Sequence, residues 1–157
     1  MPLSFLKWIY SNPRIPHPDV DSHDGYALTR AVHAEFLPLV LFLLEHGASP
    51  KHKDALAVRV AIKKKNLSLV RLLLERDESY AYKDSEMNKN AIKTVTWGRK
   101  RRRVADRMEP TVEMLKIAVT SDARDIVSYL LDKGVRPDMQ TLLRMRTSGL
   151  SQSTTPL

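Results

Sequence analysis

The feature that most constrains this chain is a spacing. The segment A-V-H-A-E-F-L-P-L-V-L-F-L-L-E-H-G-A-S-P at 31–50 aligns without a gap on A-V-T-S-D-A-R-D-I-V-S-Y-L-L-D-K-G-V-R-P at 118–137, an offset of 87. Between them, A-I-K-K-K-N-L-S-L-V-R-L-L-L-E-R at 61–76 aligns at an offset of 30. The pairs His23-Asp24, Lys53-Asp54 and Lys83-Asp84 keep the step of 30, as do Ala31, Ala61 and Ala91, and a last step of 27 leads to Ala118. Fixed self-similarity at such a period is the signature of a repeat architecture. Four units are expected, near 24–53, 54–83, 84–110 and 111–138.

Each unit reads as two short helices. The first is built on small and apolar residues, Ala27, Leu28 and Ala31 and then Ala57, Val58 and Ala61, which let neighbouring helices approach closely. The second has a broad apolar stripe, for example Leu39, Val40, Phe42, Leu43 and Leu44, as a helix covered on both sides requires. Gly47 and Gly134 stand where a left-handed residue would end that helix, and Pro50 and Pro137 prevent its continuation. At the amino end, 5–13 aligns with the second helix of the fourth unit and reads as a half-repeat cap, followed by a stiff connection through Pro13, Pro16 and Pro18. At the carboxyl end, Asp138 can cap a last helix to about Arg146, and the Ser/Thr-rich 148–157 is expected to be a disordered tail.

These residues resemble the ankyrin repeat, D-G-x-T-P-L-H-x-A-A followed by V-V-x-L-L-L-x-x-G-A-D. The match runs from Leu28 onward in the first unit and from Leu115 to Asp138 in the fourth. The T-P-L-H turn is absent throughout, and the period is about three residues short of the usual ~33. Short or irregular loops are therefore expected in place of the family's β-hairpin fingers. The resemblance implies an all-α, ankyrin-type helical repeat solenoid over 1–147, with about four units between terminal half-repeat caps.

The third unit departs from the pattern. A shift of 30 places Arg99, Lys100, Arg101, Arg102 and Arg103 where the second unit has its apolar stripe. Five adjacent cations cannot enter a packed core without a prohibitive desolvation penalty. A basic, irregular segment is expected at 98–107. From 87 to 107 there are eight cations against one acid, a net of +7, so the rest of the chain holds only +1 of the total +8. Three readings stand side by side: a nuclear localisation signal helped by Lys89 and Lys93, a contact for an acidic protein or a nucleic acid backbone with Trp97 as a stacking anchor, and a solvated charge run.

The resemblance also implies that partners touch the loops and the exposed side of the first helices. By register, Arg30, Val60, Asn90 and Ile117 form one column, and His33, Lys63, Lys93 and Thr120 another, flanked by Lys64 and Lys65. The second column is either a basic groove for an acidic segment or a set of solubilising lysines. Tyr80 and Tyr82 either anchor a partner or tuck against the next unit.

Catalysis finds no support. Cysteine is absent, which removes thiolate ligands and nucleophiles and fits a reducing compartment. The five histidines, His17, His23, His33, His46 and His52, show no ligand spacing, and no phosphate-cradling or nucleophile-elbow motif occurs. Neither a metal nor a cofactor is expected. No apolar run approaches the ~20 residues of a membrane span, and the first ten residues do not read as a signal peptide. The expectation is a monomeric intracellular protein, cytoplasmic or nuclear, that binds another protein, with a nucleic-acid-associated role on the basic segment as the alternative.

Overall fold

A computed structural model describes residues 3–75 and 108–149. The described residues are all-helical and contain no strand. The elements are α1 (Leu3–Ser11), α2 (Ser22–His33), α3 (Leu37–Glu45), α4 (His52–Lys63), α5 (Leu67–Glu75), α6 (Val112–Thr120), α7 (Arg124–Asp132) and α8 (Met139–Thr147). Helices α3, α5 and α7 begin at residues 37, 67 and 124, at the offsets of 30 and 87 read from the sequence. None of the described helices is long and apolar enough to cross a membrane.

The chain divides into two compact bodies, 1–57 and 58–157, with the boundary inside α4. In the first, α2 packs on α3, burying Leu28, Ala31 and Val32 on the first helix and Val40 to Leu44 on the second. Pro38 does not interrupt α3. It sits in the first turn, where its missing N–H leaves no bond unmade. Tyr10 of α1 meets Phe42 and His46 edge-on, with ring centroids 5.4 and 4.5 Å apart. Its hydroxyl donates to the Pro18 carbonyl at 2.5 Å, which pins the proline-rich connection. Burial, and then the charge of Asp19, push the Tyr10 phenol above its usual pKa.

A tight left-handed turn precedes α2 proper at His23, Asp24 and Gly25, and recurs 30 residues later at Lys53, Asp54 and Ala55. One carboxylate ties the two places together. Asp21 Oδ1 accepts from the Ser49 backbone N–H at 2.8 Å, and Oδ2 lies 3.2 Å from His52 Nε2. The His52 ring also lies against Gly25, where a Cβ would come within 3.3 Å of it. Short polar loops thus stand where the sequence resemblance would have placed hairpin fingers.

In the second body, α6 packs on α7 and on α8, and α7 packs on α5. Every first helix ends in the same way. Phe36, Asn66 and Ala123 donate their N–H groups to the carbonyls of Ala31, Ala61 and Ala118, around left-handed residues Glu35, Lys65 and Asp122. Gly47 and Gly134, at φ 96° and 86°, close α3 and α7 with the same pair of bonds. At Lys65 the left-handed backbone costs about 1 kcal/mol that glycine would avoid, and Asn66 Oδ1 caps α5 by accepting from Leu69 N–H at 3.0 Å. We expect Lys65→Gly to raise stability by about 0.5 kcal/mol, net of glycine's larger unfolded-state entropy. Asn66→Ala should lower it by about 1 kcal/mol. Urea midpoints test both, and equal signs would refute this account of the turn.

The spacing placed a unit at 84–110 between those at 54–83 and 111–138. In the structure the second helices of the two flanking pairs are direct neighbours. The Tyr129 hydroxyl of α7 donates to Glu75 Oε1 of α5 at 2.8 Å, and Lys133 Nζ lies 2.6 Å from the same oxygen. The Arg71 guanidinium sits 5.1 Å from the Tyr129 ring centroid. Met108 N–H then donates to the Leu74 carbonyl at 3.1 Å. Among the described residues no layer separates α5 from α7. Residues 76–107, with Tyr80, Tyr82 and the basic segment 98–107, lie outside the described residues, as does the tail from 150 onward.

Candidate partner-binding surface

The inward residues of α2 are Leu28, Ala31 and Val32, so helical geometry turns Arg30 and His33 outward, one turn apart. Both side chains are exposed. On α4 the inward set is Val58, Ala61 and Ile62, and Lys63, Lys64 and Lys65 follow as an exposed cluster on the closing turn. The turn itself is fixed by Lys64 N–H donating to the Val60 carbonyl and Lys65 N–H to that of Ile62. None of these five cationic or imidazole side chains is ion-paired with another described residue. Cations at a helix C-terminus are favoured by its partial negative charge, worth about 0.3–1 kcal/mol, so part of this pattern serves the helices themselves. Each of the two groups by itself offers donors and positive charge to a carboxylate-bearing partner. Lys93, Trp97, Arg99, Lys100, Arg101, Arg102 and Arg103 lie outside the described residues.

At the matching place on α6 the residues are Thr120, Ser121 and Asp122. A cation arrives there from the next helix instead, as an Arg144 guanidinium N–H donates to Thr120 Oγ1 at 3.3 Å. Sequence reasoning did not single out Arg144. The step of 27 that leads from Ala91 to Ala118 also leads from Ile117 to Arg144, and extending it would have found this residue. Lys116, by contrast, is neutralised, 3.0 Å from both Glu113 and Asp138. Hydrogen bonds from the Thr141 hydroxyl and backbone N–H, and then from Lys116, hold the Asp138 carboxyl at a pKa of about 2. Asp138 is thereby committed to capping α8, as its position suggested.

Among the described residues no group of three or more His, Asp or Glu side chains is placed to hold a metal ion. No family model matches the chain, and neither the curated proteins nor the solved structures contain a match.

Proposed function

We propose that this chain is a protein-interaction module, an ankyrin-like repeat solenoid that binds an acidic partner protein through the ends of its first helices and its basic segment. The observation that carries the reading is the shared register. Helix pairs begin at residues spaced by 30 and 87, and each first helix closes on the same left-handed turn. Stacked units of this kind present an extended surface, and the residues that vary along it are free to serve recognition. On α2 and α4 those residues are exposed and basic. Rigid helices bring them to a partner already ordered, which lowers the entropy lost on binding. Positive charge speeds the encounter.

The test is a pull-down from cell lysate with the wild type, a variant with Arg99, Lys100, Arg101, Arg102 and Arg103 changed to Ser, and a variant with Lys63, Lys64 and Lys65 changed to Ser, each with and without nuclease. The expected result is a protein retained by the wild type, lost from at least one variant, and indifferent to nuclease. Retention that collapses with nuclease would replace this reading with binding to nucleic acid. The five-Ser variant should melt within about 1 °C of the wild type, since the desolvation cost of five adjacent cations keeps them from contributing to a packed core.

A further inference from the structure

We infer that the exposed apolar stripe of α8 docks a helix of a partner protein, apolar along one stripe and acidic along its flanks. This deepens the reading of the chain as a protein-binding module and rests on it. Helix α8 lies 27 residues after α6 and packs against it through buried Thr141 and Met145. It ends at Gly149, at φ 65°, whose N–H donates to the Arg146 carbonyl as the other first helices' closing residues do. In register, Leu142 occupies the position of Leu28, Val58 and Leu115. Those three are at most 1% exposed, and Leu142 is 47% exposed. Leu131 of α7 repeats the contrast, for it is half-exposed where Leu44 and Leu74 are buried. Met139 and Leu143 extend the open stripe at helical spacing, 72% and 57% exposed. Anchors at i, i+3 and i+4 are how an apolar helix face is engaged.

Charge selects the occupant. Helix α8 carries Arg144 and Arg146 and no acid, exposed Arg136 precedes it, and Asp138 is engaged by Lys116 and Thr141. The exposed acids nearby, Asp125 and Asp132, belong to α7, so the cations that favour Glu or Asp beside an incoming apolar stripe are Arg144 and Arg146 of α8 and Arg136 before it. A second copy would have to offer α1, which exposes Phe5 and Trp8 but holds Lys7 and no acid, so like charges would face each other. The chain's own residues 150–157, L-S-Q-S-T-T-P-L, contain neither an acid nor an apolar helical stripe.

The probe is a fluorescent peptide with the apolar residues of 124–132 in place and Glu at the remaining positions, titrated by anisotropy into the full chain. A twin with Lys at those positions serves as the comparison. The Glu peptide should bind, the Lys peptide should bind about tenfold more weakly, and Leu142→Ser with Leu143→Ser should weaken the Glu peptide at least about tenfold. Both leucines are exposed, so the double variant should keep the wild-type melting curve. No binding of the Glu peptide, equal affinity for both peptides, or binding indifferent to the double variant would overturn the proposal. Sedimentation equilibrium showing a dimer that the double variant abolishes would overturn it in favour of a second copy, and binding that appears only after deletion of 150–157 would overturn it in favour of the chain's own tail. Peptide binding that fails while the lysate partner is still retained removes this docking site and leaves the broader function standing.

Discussion

Truncation of Leu115 to alanine should cost about 2–5 kcal/mol, and the same truncation at Leu142 less than about 1 kcal/mol. The two leucines hold the same register position on successive first helices. Leu115 is fully buried on α6, which packs on both α7 and α8. Removing three carbons there leaves a cavity whose lining loses its contacts, because a close-packed interior relaxes only partly. Leu142 already faces outward, so its loss opens no cavity. Typical domains are stable by only about 5–15 kcal/mol, so Leu115→Ala should populate the unfolded state visibly. Urea denaturation followed by circular dichroism reads both effects. Equal losses would mean that α8 is covered as α6 is, and the docking proposal would fall with that result.

The second large effect concerns Glu75. Burial alone would raise the pKa of its carboxyl. Hydrogen bonds from Lys133 and Tyr129, together with the charges of Lys133 and Arg71, overcome that and hold it below the usual carboxylate range. A carboxylate depressed in the folded state contributes stability that is present above its unfolded pKa, ~4.3, and is lost as pH falls through the folded value. Glu75→Ala removes the acceptor of the buried Tyr129 hydroxyl and the partner of Lys133, whose own side chain is 44% exposed. The loss should be about 1–3 kcal/mol at neutral pH. Thermal melts of wild type and variant should converge as the solution is acidified below the unfolded value, because protonation removes from the wild type the charge that the variant already lacks. Curves that stay parallel however far the solution is acidified below the unfolded value would show that the ion pair does not brace α5 against α7.

The helices were legible because their apolar stripes are long and strongly periodic. Gly47, Gly134 and Asp138 were legible because each position admits few residue types. The left-handed residues Glu35, Lys65 and Asp122 were not. Nothing in an acidic or basic side chain announces a positive φ, which is imposed at these places by the geometry of the closing turn. The direct contact of α5 with α7 was hidden for another reason. Spacing along the chain counts pairs, whereas neighbours in space are set by burial. The arginines at 99–103, which the sequence does show to be unfit for a core, lie outside the described residues. In the candidate surface, the exposure of Arg30, His33 and Lys63 to Lys65 followed from helical phase alone. Arg144 lay one further step along the same register, but its side-chain contact with Thr120 could be seen only in the structure.

The hydrogen bond between Leu74 and Met108 sets two distant points of the chain one bond apart. The second body is therefore closed by contacts between residues remote in sequence, and closing such contacts costs chain entropy before they stabilise, so this body should form more slowly than one built only of contacts between successive helices.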